Sequence, residues 1–308
     1  MANPDLNTLA EEAREISVGA VSGLGRLPGG VSPSGFIAEY SAVGPWDHYR
    51  HVPRTAVATV RRIAEQLGPK AVRSFLRAAL GEGIVSLATS NRLEALPPRI
   101  VFHHIRQLRR LVDAIARDGD WLDLSQDIFL KECGLVTLRL YAAGFQLVDV
   151  RCGIPRSLVW RAGVLGIPGR MMNFLRLGGF KPFAQIHTHV PNLGEFNEES
   201  RNECYRCCAA LFEFRPDLLG MFGSSWFYDP ALAEVSPHLN YLRDVPLAGG
   251  ADLMFVEQGG GAVRDALETS NRRRRLYEEG KYMPRSYMLI WGRRPLLAWA
   301  LGNPEGAL

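Results

Sequence analysis

The stretch Pro182–Tyr228, PFAQIHTHVPNLGEFNEESRNECYRCCAALFEFR followed by PDLLGMFGSSWFY, decides the fold class. PFAQIHTHV is a short β-type run, PNLGEF carries turn residues, NEESRNECYRCCAALFEFR has helical texture, and LLGMFGSSWFY returns to β-type residues. The helix makes the connection long enough for a right-handed crossover, so the two strands are expected to lie parallel.

The same alternation continues outward. Downstream come a helical segment, PALAEVSPHLNYLR, a strand, DLMFVEQ, a second helical segment, AVRDALETSNRRRRLYEEG, and a closing strand, SYMLIWGR. Upstream, LVTLRLY and FQLVDVRC flank Ala142-Ala143-Gly144, which predicts an antiparallel hairpin. Between hairpin and decisive stretch, GIPRSLVWRAGVLGIPGRMMNFLRLGG is dense in Gly and Arg, and a mobile loop with one short helix is expected there. From Thr55 to Asp118 the apolar residues recur at helical spacing, with Pro69 placed near a helix start. Residues 1–55 are punctuated by Gly, Pro and Ser too often for a long element, so an arm or wrap is expected. The expected fold class is α/β (α+β): a Gly/Pro-rich arm and helical lobe over 1–118, and a mixed-sheet α/β domain over 119–308.

This order of hairpin, strand, turn, long helix, strand, helix and closing strands resembles the GNAT superfamily of N-acetyltransferases over roughly Asp120 to Ala300. The resemblance implies that an acyl carrier's pantetheine would lie where Phe183–Val190 and Leu219–Tyr228 splay apart. It also implies that a tyrosine beyond the second strand, here Tyr228, would protonate the departing thiolate. The turn departs from the superfamily's glycine-rich basic phosphate loop: it reads HVPNLGEFNEES, and Glu195, Glu198 and Glu199 stand where a pyrophosphate would sit. Carboxylates suit a helix N-terminus but repel phosphate.

Other residues could carry chemistry on their own spacing. Alternation along a strand puts His187 and His189 on one face, with Glu195 a turn away and His238 on a later helix. Two histidines and a carboxylate, or three imidazoles, form ligand sets for iron or zinc. Without a metal, His187, His189 or Glu195 would serve as general base, while Glu195 could equally cap the following helix. Ser224, Ser225 and Trp226 lie at the carboxyl end of the second strand, where α/β sheets place ligands. Arg272, Arg273, Arg274 and Arg275 sweep around a helix, so at least one must meet protein or a ligand anion such as a phosphate or an acidic carrier protein. His103 and His104 are adjacent on a helix and read as structural, and Cys204, Cys207 and Cys208 read as buried thiols.

Composition narrows the class. The 308 residues are 47% apolar and 22% charged, with 36 basic against 32 acidic side chains and a net charge of +4. Those values suit a folded globular protein. No basic stripe interleaved with aromatics is present, so nucleic acid is not expected as a partner. No apolar run is long enough to span a bilayer, and the acidic start MANPDLNTLAEEAREI lacks the pattern of a secretory signal. Five cysteines in no disulfide pattern fit a reducing, cytoplasmic location.

Three functions follow as expectations. One is an acyltransferase taking an acyl group from acyl-CoA or an acyl carrier thioester to a small amine or hydroxyl. Another is a metal-dependent enzyme built on His187 and His189 with Glu195 or His238. The last is a non-catalytic module of the same fold that binds a small molecule or a partner.

Overall fold

The computed structural model describes residues 4–42, 44, 48–160 and 167–304. They pack as two compact units, Met1–Arg151 with Thr188–Glu195, and Cys152–His187 with Phe196–Leu308. The expected domain limit at residue 118 thus falls inside the first unit. The reason is that the hairpin beyond it is buried against helices of that unit.

The first unit opens with α1 (Pro4–Ser22) and α2 (Pro33–Ser41), where an arm without a long element was expected. The Gly/Pro punctuation starts only at Gly23; before it, Leu6, Leu9, Ala10, Ala13 and Ala20 form a buried stripe at helical spacing. Helices α3 (Arg54–Leu67), α4 (Pro69–Ala88) and α5 (Pro98–Ile115) occupy the segment read as helical. α1 packs closely on α4 because Gly81 leaves room: a Cβ there would lie 2.8 Å from the carbonyl oxygen of Ala13. LVTLRLY is not a strand throughout. Leu135 and Val136 end α6 (Asp127–Val136), and β1 is only Tyr141–Ala143. β1 pairs antiparallel with β2 (Gln146–Gly153) through the expected hairpin, with Gly144 at φ 61° in the turn.

The second unit holds the crossover. α7 (Ser157–Trp160) and α8 (Ile167–Arg176) stand in the segment expected to be a mobile loop with one short helix, part of which, 161–166, lies outside the described residues. β3 (Pro182–Thr188) leads through a 3₁₀ turn, Val190–Glu195, into α9 (Glu198–Phe214) and then β4 (Gly220–Ser225). β3 and β4 are parallel, as expected. The predicted helix after Pro230 is broken into α10 (Leu232–Val235), a 3₁₀ turn at Pro237–Leu239 and α11 (Tyr241–Ala248), because Pro237 cannot donate in a continuous helix. β5 (Asp252–Gln258) follows. The next predicted helix is likewise two, α12 (Gly260–Leu267) and α13 (Asn271–Glu278), separated where the Ser270 side chain caps α13. β6 (Arg285–Gly292) lies between β4 and β5, antiparallel to both, and α14 (Arg293–Gly302) closes the described chain. The six strands form a mixed sheet with parallel and antiparallel pairs, and the fold class is α/β.

Alternation decides which residues face which layer of the second unit. Phe183, Phe222, Met288 and Ile290 join Leu158, Val159 and Phe174 in one buried cluster. Trp291, the next residue after Ile290, packs instead on Tyr205 of α9 and Trp299 of α14, at ring separations of 5.2 and 5.3 Å.

Candidate functional site

In the second unit the parallel pair β3/β4 is short. Its register runs only through Ala184 with Met221 and Gln185 with Phe222, although β3 continues to Thr188 and β4 to Ser225. β4 stays paired with β6 all the way to Ser225 opposite Tyr287. β3 therefore parts from β4 beyond Gln185 and Phe222. Past that point, the backbone groups of β4 that face away from β6 are not engaged by a ladder with β3.

Tyr228 stands at this opening. The residues after β4 form a 3₁₀ turn, Trp226–Tyr228, held by the Ser225 side chain accepting from the Phe227 amide at 3.1 Å. The turn brings the Tyr228 hydroxyl back over β4 at Gly223, the first residue beyond the paired segment: a Cβ at Gly223 would lie 2.6 Å from that oxygen. The hydroxyl accepts a hydrogen bond from Arg201 Nη2 at 2.6 Å, and Arg201 Nε donates to Tyr205 at 2.9 Å. Burial raises the Tyr228 phenol above its ordinary value, with the Arg201 guanidinium pulling the other way. Burial works against the charge on Arg201, but the neighbouring phenols Tyr205 and Tyr228 offset it, and the guanidinium stays protonated.

His187 lies on β3, past Gln185, on the other arm of the same opening and partly buried. His189 does not share its strand face, because β3 ends at Thr188 and the strand alternation no longer applies. His189 packs in the first unit, buried at 1% exposure, with Nε2 3.0 Å from Glu132 Oε1. Arg110 Nη2 reaches both Glu132 oxygens at 2.7 Å. Burial would raise the Glu132 carboxyl, but His189 and Arg110 together hold it below its ordinary value. Glu195 is half exposed and ion-paired with Arg106 at 2.8 Å. It does not cap α9, whose start is closed by a capping box between Asn197 and Ser200. His238 is exposed in the 3₁₀ turn before α11. Among the described residues, no group of three metal-ligating side chains includes His189, Glu195 or His238.

The expected substrate-binding residues divide. Ser224 is exposed at the end of β4, while the Ser225 side chain serves as the cap already described. Trp226 is buried in a cluster with Leu232, Val235, Ala266 and Tyr282, beneath the Arg273 guanidinium at 4.4 Å. Arg273 is the buried arginine of the run: it donates to the Ala266 carbonyl and to Ser236 and Thr269. Arg272 and Arg274 donate to backbone carbonyls, and Arg275 lies 3.8 Å from Glu279. Arg272, Arg273 and Arg274 thus each bond to the protein, while Arg272, Arg274 and Arg275 remain exposed.

His103 and His104, read as structural residues of their helix, are both buried. His104 Nε2 lies 3.1 Å from the Leu135 carbonyl, and Nδ1 accepts from the Ala142 amide at 3.4 Å, which selects the neutral ring. The cysteines are free thiols, and Cys204, Cys207 and Cys208 are buried.

Glu132, Arg110 and Arg201 were not singled out from sequence. Arg201 did carry a signal: with Cys204, Tyr205 and Cys208 it shares the i, i+3, i+4, i+7 face of α9 that is buried, an unusual place for a cation. Glu132 stands inside the apolar run DIFLKECGLV, a similar signal.

No family model matches the sequence. No curated protein matches it either. Among solved structures the chain is similar to an acyltransferase whose crystal structure is in complex with decanoyl-CoA, at 14% identity and a TM-score of 0.45, over 92% of this chain and 99% of that one. No helix among the described residues is long and apolar enough to cross a membrane.

Proposed function

We propose that the protein is an acyltransferase-like enzyme of GNAT type that moves an acyl group from a thioester, acyl-CoA or an acyl carrier, to a small amine or hydroxyl. The observation that carries this reading is the parting of β3 from β4 with a buried tyrosine hydroxyl set over the first unpaired residue of β4. An extended pantetheine can enter such an opening and bond to the unpaired strand edge as a further strand would.

Each step then has a residue. The acceptor nitrogen or oxygen attacks the thioester carbon, and His187 on the β3 arm takes its proton. Backbone amides in the stretch 223–226, at the end of β4 and the start of the following turn, donate to the developing oxyanion. The carbon–sulfur bond breaks, and Tyr228 on the β4 arm protonates the departing thiolate. A neutral phenol is the form needed to donate, and burial keeps it neutral at ordinary pH. The acidic start of α9, with Glu198 and Glu199 in its first turn, is a poor seat for pyrophosphate, so a coenzyme A donor would keep its phosphates away from that turn.

The test is a thermal-shift and turnover screen with acetyl-, hexanoyl- and decanoyl-CoA and the matching acyl carrier thioesters, against mixed amines and alcohols. Stabilisation by a thioester and release of free thiol support the reading; no shift and no thiol from any donor overturn it.

A further inference from the structure

Arg201 is a cation inside the second unit, 3% exposed, and its side-chain hydrogen bonds among the described residues go to two phenol oxygens rather than to a carboxylate. Burying a guanidinium is costly unless something offsets the charge. Phenols offset it weakly while they are neutral. They offset it strongly only if one of them becomes a phenolate. Among the described residues the Tyr228 hydroxyl has Arg201 as its hydrogen-bond partner, and Arg201 can only donate, so the phenol's own proton is uncommitted.

We propose that Arg201 is a positioning residue for acyl transfer: it accompanies Tyr228, turns the phenol proton towards the opening between β3 and β4, and stabilises the phenolate left when that proton passes to the leaving sulfur. This rests on the acyltransferase reading and adds to it a residue that does not touch substrate. The step balances. The acceptor's N–H or O–H proton goes to the base, the new C–N or C–O bond forms, the C–S bond breaks with its electron pair on sulfur, and sulfur takes the Tyr228 proton. The phenolate, paired with the Arg201 guanidinium, regains a proton from water before the next cycle. Tyr205 holds the other edge of the guanidinium through Nε, and its ring packs against Trp291 and Trp299, so the cation cannot swing away.

The experiment uses full-length Arg201→Met, which keeps the side-chain volume, and Arg201→Lys, which keeps a cation. Each is assayed with an alkyl thioester and with an S-phenyl thioester, whose thiolate departs without protonation. Arg201→Met is expected to lower kcat on the alkyl thioester about 100-fold with KM little changed, to lower it less than about 3-fold on the phenyl thioester, and to be partly rescued in Arg201→Lys. Adding Arg201→Met to Tyr228→Phe should cost nothing further, since the two act as one unit. Equal loss on both donors, or no loss, overturns the assignment to Arg201 while leaving thioester transfer intact. A readout independent of turnover is the ultraviolet titration of the Tyr228 phenol, identified by difference from Tyr228→Phe. Its ionisation should move to higher pH in Arg201→Met, and an unmoved titration also overturns the proposal. A wild-type protein inert to every thioester would instead overturn the functional reading, and the titration would still decide whether Arg201 governs Tyr228.

Discussion

Gly223 and Tyr228 are five residues apart, yet they act as one feature, because the absent side chain of one makes room for the hydroxyl of the other. Gly223→Ala should push the hydroxyl off β4 by the better part of an ångström. The expected result is a loss of transfer rate of about 10-fold or more with the melting temperature nearly unchanged, read by steady-state kinetics beside a melting curve. His104 gives a prediction about pH. Burial depresses its value from the ordinary 6.5 to about 4, so the unfolded chain takes up a proton that the folded ring refuses. Stability is therefore full above pH 6.5 and falls as pH drops towards 4, by about 3 kcal/mol in all. Urea unfolding across that range should show the fall, and His104→Gln should flatten it. The same residue illustrates how much of this was legible: His103 and His104, adjacent on a helix, were readable as structural, but the partners of His104 at Leu135 and Ala142 come from residues far along the chain.

Helix α9 is the element that matters most, since its first turn carries Arg201 and its body carries the buried thiols. Its start is closed by reciprocal bonds: the Asn197 side chain accepts from the Ser200 amide at 3.0 Å, and the Ser200 hydroxyl accepts from the Asn197 amide at 3.1 Å. Asn197→Ala should cost about 1 kcal/mol of stability in denaturant unfolding. Because fraying of that turn also loosens Arg201, transfer from an alkyl thioester should fall along with it. The strand–helix–strand order around α9 was readable from hydrophobic texture alone, as was the parallel sense of β3 and β4. Where β3 stops was not. His187-Thr188-His189 alternates like a strand to its end, but the Lys131 side chain donates to the Thr188 carbonyl at 2.7 Å and the chain turns into a 3₁₀ segment there. That change of backbone separates the two histidines into different roles.

At the scale of the molecule, buried cations find different partners: Arg201 in the second unit meets phenols, Arg139 in the first meets backbone carbonyls, and one buried carboxylate, Glu132, sits in a charged cluster. In the first unit, Glu132 with Arg110 and His189 ties α5 and α6 to the segment Thr188–Glu195. Removing the buried carboxylate leaves the partly buried Arg110 guanidinium without its counter-charge, with Gln107 and His189 as its remaining side-chain partners. Glu132→Ala should destabilise the protein by about 3–5 kcal/mol in reversible unfolding, far more than Glu195→Ala, whose half-exposed ion pair is worth under about 1 kcal/mol. The amino-acid order settled the α/β class, the helical texture of 55–118 and the crossover, because periodicity and turn chemistry are local properties that a short window contains; it offered His187 only beside His189 and Glu195, and Tyr228 only through the resemblance to the GNAT superfamily. It missed α1 and α2 in the first fifty-five residues and one of the two helices, α7 and α8, in the Gly- and Arg-rich segment after the hairpin, because Gly and Pro were weighed over a whole segment although helices fit between them. The pairing of Arg201 with Tyr228, of Glu132 with His189, and the burial of Arg273 over Trp226 came only from the folded chain. Those contacts join residues 27 to 57 positions apart and carried on different elements, and which buried cation meets which partner depends on how side chains fill space, which no periodicity encodes.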